Sequence, residues 1–217
     1  MERKDSPDPK LDGRKARSQR SREAVIQAVM AFVREGNPLP SATQIAHRAK
    51  LSRRVVFNLF KDIESLRATC LARFAQEENA KFWRPVAPDL PLPERVQAFV
   101  RTRSARLEYV TPFRRATLAL APLSPRIAEA VRGGAARAHA EVRSVFDCEI
   151  RKLPPARRGR LTALLIAACG WPLWDMLRAD LNLSERRARA AMAAMVAAVI
   201  ERELKEARQS RPTAGRE

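Results

Sequence analysis

Histidine is nearly missing from this sequence: His47 and His139 are the two present in 217 residues. That scarcity removes the commonest general base at neutral pH. Nor does the chain contain a G-x-S-x-G elbow, a phosphate-binding P-loop, a Rossmann glycine pattern or an H-E-x-x-H helix. His47 stands next to Arg48 and reads as an exposed or phosphate-facing residue rather than a base. No catalytic residue is assigned, and an enzyme is not expected. Glycine is also scarce, with seven in the chain. The long segments follow a helical period instead of strict alternation, so the fold class is all-α. Three cysteines, Cys70, Cys148 and Cys169, are odd in number and far apart. They exclude a disulfide framework and a C-x-x-C metal pair, leaving buried cytosolic thiols as the expectation. No metal and no cofactor are expected. The opening MERKDSPDPK lacks the apolar core of a signal peptide. The longest apolar run, Ala190–Ile200, falls well short of the roughly 20 residues that span a bilayer. A soluble, cytoplasmic protein with no membrane partner is expected.

Positive charge is abundant. The formal net charge is +18. Residues 1–61 hold 14 basic and 6 acidic side chains, or +8, while the 156 residues that follow hold 28 and 18, or +10. The denser charge at the N-terminus favours a polyanionic partner. Arginine accounts for 34 of the 42 basic residues, so part of the excess is a matter of composition.

The punctuation predicts the helices. Residues 1–16, with Pro7, Pro9 and Gly13, read as a flexible basic arm. A first helix is predicted from about Arg17 to Arg34, with Val25, Ile26, Val29, Phe32 and Val33 inward and Glu35-Gly36-Asn37-Pro38 as its stop. Ser41 or Thr43 caps a second helix that ends by Ala49. Ser52 caps a third that ends near Leu59. Asp62 opens a fourth, with Glu64 in its first turn, running to Lys81 or Phe82. The Pro-rich RPVAPDLPLP at 84–93 is the strongest candidate for a break between a smaller and a larger lobe. Beyond it, helices are predicted over Glu94–Val110, Arg126–Lys152, Arg157–Leu181 with a kink at Gly170 and Pro172, and Ser184–Ala207. The organisation expected is an arm over 1–16, a helix-turn-helix domain over 17–66, a helical lobe over 67–208 and a polar tail over 209–217.

The stretch TQIAHRAKLSRRVVFNLF, residues 43–60, carries the sharpest signal. Two short helices are joined by a tight turn, and the second opens with Ser52, Arg53 and Arg54. Ala46 and Ala49 are small enough for close helix approach. Ile45, Leu51, Val56 and Phe60 supply an inner face. The N-terminal end of a recognition helix enters the major groove, where Arg can contact guanine bidentately, and helix N-termini offer N–H groups to phosphates. Candidate DNA-binding residues are Thr43, Lys50, Ser52, Arg53, Arg54, Phe57, Asn58 and Lys61.

With these residues in view, the sequence resembles the TetR family of transcriptional regulators. The resemblance covers roughly residues 22–68, through EAVIQAVMAFVREG and SATQIAHRAKLSRRVVFNLFKDIESL. The family's Ile-Ala pair is Ile45-Ala46, its turn is Ala49-Lys50-Leu51-Ser52, its aromatic positions are Phe57 with Leu59-Phe60, and its fourth-helix start is Ile63-Glu64-Ser65-Leu66. Four positions depart from the pattern: Lys50 stands for glycine, Phe57 for tyrosine, Leu59 for histidine or tyrosine, and Ile63 for lysine. Phe57 has no hydroxyl to give to a phosphate.

The resemblance implies a C-terminal lobe that dimerises and binds a small apolar ligand. It also implies a repressor released from its operator when the ligand changes the lobe angle through the fourth helix. AMAAMVAAVI and LTALLIAACGWPLW could build a four-helix interface between two copies, or could be buried together within one subunit. A two-fold homodimer would set its recognition helices about 34–36 Å apart on double-stranded DNA and read a near-palindrome. Candidate pocket residues are Trp83, Phe99, Arg103, Tyr109, Phe113, His139, Phe146, Trp171 and Trp174. A surface position is the plainer expectation for Arg103 and His139. The competing reading is a protein-interaction module with a degenerate helix-turn-helix and weak, non-specific DNA binding. Steep salt dependence of specific binding separates the two.

Overall fold

The structure, a computed structural model, describes residues 9–209, with side chains from residue 13 onward. Every regular element among the described residues is helical. The chain divides into two compact units. One runs to Asn79 and takes in Pro112–Ala130; the other comprises Ala80–Thr111 and the chain from Val131.

The first unit is assembled from locally written boundaries. α1, Pro9–Arg34, buries Val25, Ile26, Ala28, Val29, Met30 and Val33. It ends at Gly36, whose φ of 87° is the left-handed turn that glycine adopts without penalty. α2, Ala42–Arg48, begins with a capping box. The Ser41 Oγ accepts the Gln44 N–H at 3.2 Å, and the Gln44 Oε1 accepts the Ser41 N–H at 2.8 Å. α3, Arg53–Leu59, is capped by Ser52, whose Oγ accepts the Val55 N–H. α4, Ile63–Phe82, is capped by the Asp62 carboxylate, which accepts the Ser65 N–H at 2.6 Å. That hydrogen bond, followed by one to the Ser65 side chain, holds the Asp62 carboxyl below its ordinary range. Ile45, Ala46, Val56, Phe60, Leu66, Cys70 and Phe74 fill the interior with α1.

The helices differ from the sequence reading in four places. α1 is already helical at Pro9, the first described residue, rather than starting near Arg17. Residues 9–16 of the expected arm are therefore helical, while 1–8 lie outside the described residues, as do residues 210–217 of the expected tail. α5, Leu92–Leu120, runs past the predicted stop at Val110 and straight through Pro112. An interior proline costs about 3 kcal/mol. The next turns bury Phe113, Ala116 and Leu120, and full burial of a Phe or Leu is worth about 1.5–3 kcal/mol each, which offsets it. The predicted helix 126–152 is two, α6 Pro125–Val145 and α7 Asp147–Arg151. The break at Phe146 lets that ring bury fully, edge-on to Phe99 at 5.4 Å, and turns Glu149 inward to Arg95. The predicted kink at Gly170 and Pro172 is a full break. α8, Pro155–Ala168, stops at an extended Gly170, and Pro172 sits in the first turn of α9, Trp171–Asp175.

α9 leads into a π-helical turn at Met176–Asp180, and then α10, Glu185–Gln209, closes the second unit. Ser184 caps α10 through the Arg187 N–H. Leu161 and Leu165 of α8 and Met192, Val196 and Ile200 of α10 are buried in one core with Phe99, Phe146 and Trp174. The same core accommodates a buried ion pair between Arg95 and Glu149 at 2.5 Å.

Candidate nucleic-acid interface

The turn between α2 and α3 fixes the interface. Lys50 occupies it with φ 55°, a left-handed conformation that costs a residue with a Cβ roughly 1–2 kcal/mol. This is where the sequence departs from glycine, and the backbone keeps the glycine geometry. Ser52 then starts α3, and the helix sorts its side chains by face. Val56 and Phe60 are 4% exposed and point inward. Arg53, Arg54, Phe57, Asn58 and the following Lys61 are all exposed, as are Thr43, Lys50 and Ser52. The eight sequence candidates thus share exposure on α2, the turn, α3 and the residue after Phe60.

The electrostatics of that face are one-signed. Neither α2 nor α3 contains an acid. Lys50, Arg53 and Arg54 form no ion pair with any described residue. Two cations in the first turn of a helix oppose its macrodipole, by about 0.3–1 kcal/mol each at an exposed site. No described residue of the first unit compensates them, so the arrangement suits an anionic surface from outside.

Sequence reasoning missed the residues that hold α3 in place. Arg22 of α1 donates to the Leu59 carbonyl at 2.7 Å and lies 4.3 Å over the Phe60 ring. It thereby satisfies an orphan carbonyl at the end of α3 and pins that end to α1. Arg48 of α2 makes a bidentate pair with Glu35, at 2.9 and 2.8 Å, and stacks 3.7 Å over Phe32. The signal for Arg22 was its position: it precedes Val25 and Ile26 by one turn on the same face. Earlier in α1, Arg14, Lys15, Arg17 and Arg20 are all exposed. The first unit also draws in the end of α5. Phe113 stacks on Phe74 at 3.8 Å, and Ser124 donates to Glu64 at 2.7 Å.

The nine pocket candidates scatter. Phe113 belongs to the first unit, where it stacks on Phe74. Trp83 is 47% exposed beneath the Arg106 guanidinium. Phe99, Phe146 and Trp174 are core residues of the second unit. Arg103, expected at the surface, is buried: its Nε donates to the Cys169 carbonyl at 3.0 Å and its Nη1 to Glu141 at 2.8 Å. A stem among apolar residues and two acceptors for its head make that burial tolerable. His139 is half-buried. Tyr109 packs against Phe82 at 5.2 Å. Trp171 donates to Thr111, and Trp174 to Glu108. Glu108 also receives Arg178, which reaches the Leu183 carbonyl as well.

Of the thiols, Cys70 and Cys169 are buried and burial pushes both up to about 12, which leaves them unreactive; Cys148, expected to be buried, is exposed. Among the described residues no group of three or more His, Cys, Asp or Glu side chains is arranged to hold a metal ion. No helix among them is long and apolar enough to cross a membrane.

Solved structures share this all-α fold. A candidate TetR-family transcriptional regulator from Mesorhizobium loti MAFF303099 is 24% identical, with a TM-score of 0.64 over 88% of this chain and 98% of its own. A transcriptional regulator from Rhodococcus sp. Rha1 is 16% identical, with a TM-score of 0.63 over 86% of this chain and 97% of its own. The fold is therefore shared along nearly the whole length of both proteins. No protein-family model and no curated protein sequence matches the chain.

Proposed function

We propose that the protein is a homodimeric, DNA-binding transcriptional regulator. In this reading it acts as a repressor on a near-palindromic operator and is released by a small apolar ligand. One observation carries the reading. α3 presents Arg53 and Arg54 outward at the head of a helix held from behind by Arg22, with no acid on either helix of the motif. In this reading Arg53 and Arg54 meet base edges, while Thr43, Lys50, Ser52 and Lys61 meet phosphates and position the helix.

The dimer is supported by the outward faces of α8 and α10. Both helices bury one side in the unit's own core. Ala163, Leu164 and Ala167 of α8, and Ala194 and Ala198 of α10, remain exposed on the other. Small residues at these spacings allow close packing of two helices from each copy. Ligand response is supported by the course of α5 and α6, each of which contributes residues to both units. A ligand that prefers one placement of these helices would bias the first unit by its differential affinity for the two states. Phe99, Arg103, Tyr109, His139, Phe146, Trp171 and Trp174 are the residues of the second unit nearest to such a role.

The test is selection of bound duplexes from a random pool by the purified full-length protein. A near-palindromic winner bound by two chains is the expected result. A pool without enrichment overturns the proposal and favours a protein-interaction module with a degenerate helix-turn-helix.

A further inference from the structure

The outward face of α3 contains an apolar island that the charges do not explain. Phe57 is 56% exposed. It follows Arg54 by three residues and Arg53 by four, so it projects from the same side of the helix. Asn58 and Lys61 flank it, both exposed. No aromatic ring or guanidinium among the described residues packs on it. A single exposed Phe elsewhere needs no explanation. This one stands in the centre of a face otherwise suited to polyanion contact.

A phenyl ring has no donor and no acceptor, so it can form no hydrogen bond to a phosphate or a base edge. In the major groove the bases present hydrogen-bonding atoms, with one apolar exception: the C5-methyl group of thymine. Resting on the DNA-binding reading above, we infer that Phe57 is a specificity-determining residue that reads a thymine methyl group. Its distance along the helix sets where. Three residues at 1.5 Å each place it about 4.5 Å from Arg54 along the helix axis. At about 3.4 Å per base pair, that thymine lies one or two base pairs from the base Arg54 contacts. Each half-site therefore pairs a guanine with a thymine at that separation.

The experiment uses the duplex selected by the full-length protein. Each thymine is replaced in turn by deoxyuridine, which deletes the methyl group and leaves every hydrogen-bonding atom. Wild type loses about fourfold in affinity at one thymine position per half-site, the worth of one buried methyl group. Phe57→Ala binds the thymine and uracil duplexes equally, while Phe57→Leu keeps the preference. Because the ring is exposed, the variants keep the wild-type circular dichroism and Tm. Wild type indifferent to uracil at every position overturns the inference. So does a loss on uracil that persists in Phe57→Ala. Phe57→Tyr separates the backbone alternative: a uniform gain on all sequences, without methyl sensitivity, would place the ring against phosphate and overturn the inference. A chain that selects no sequence overturns the regulator reading itself, whereas one that selects a sequence yet ignores the methyl overturns this inference alone.

Discussion

Lys50 is strained and charged at once, and two substitutions separate these properties. With φ at 55° it holds a left-handed turn. Relieving that conformation is worth roughly 1–2 kcal/mol. Glycine gives back about 0.5–1 kcal/mol through the greater freedom of its unfolded chain. Lys50→Gly is therefore stabilising by about 0.5–1 kcal/mol, a rise in Tm of about 1–4 °C for a chain of this size. Lys50→Ala removes the same charge but keeps a Cβ in the turn, so it gains no stability. Differential scanning calorimetry on the three proteins measures this. Both variants lose one cation from the candidate interface of each chain. If Lys50 meets a phosphate, the slope of log affinity against log salt becomes shallower by about 0.9 per subunit in each. Lys50→Gly no more stable than Lys50→Ala would refute the strain argument, and an unchanged salt slope in both would refute the phosphate contact.

Four further predictions follow from named contacts. Arg54→Ala relaxes base preference at one operator position and costs about 1–3 kcal/mol there, whereas Lys61→Ala weakens binding to all sequences alike; affinities for a panel of single-base operator variants tell them apart. Arg22→Leu removes the bond to the Leu59 carbonyl and the contact with Phe60, lowering stability by about 1–2 kcal/mol in urea unfolding and weakening operator binding although Arg22 itself need not touch DNA. Glu149→Ala strands the buried Arg95 and costs about 3–5 kcal/mol, read as a lower urea midpoint, while an apolar replacement of both partners is far milder. Leu164→Glu places a charge on the outward face of α8 and, if the proposed dimer forms through that face, yields a monomer in sedimentation velocity with the fold of each chain intact; a wild-type chain that sediments as a monomer would count against the dimer.

How much of this was legible depended on whether the deciding interaction was local. Ser41, Ser52, Asp62 and Gly36 each mark a boundary within three residues of themselves, and the predicted end of α1 and starts of α2, α3 and α4 follow them. The inner face of the helix-turn-helix was legible for the same reason, because Ile45, Val56 and Phe60 repeat at helical spacing. Pro112 is the counterexample. Its local preference for a break is overruled by the burial of Phe113, Ala116 and Leu120, which depends on partners such as Phe74 far along the chain. Arg103 was misplaced for a similar reason: its carboxylate, Glu141, is 38 residues away. At the interface the exposed side chains could be named from the motif, and the position of Arg22 placed it on the inner side of α1, but its partner could not be named. Its role comes from a carbonyl 37 residues on, freed by the end of a helix.

In the proposed function this helix-turn-helix reads sequence. The direct measurement is a salt titration of two labelled duplexes, the selected near-palindrome and a scrambled one of equal composition, from about 50 to 200 mM. The expected result is an affinity that falls steeply with salt for both, with the palindrome bound at least about 10³-fold more tightly and by two chains. Equal, weak binding of both duplexes at every salt concentration would contradict it and leave the exposed face of α3 to some other partner.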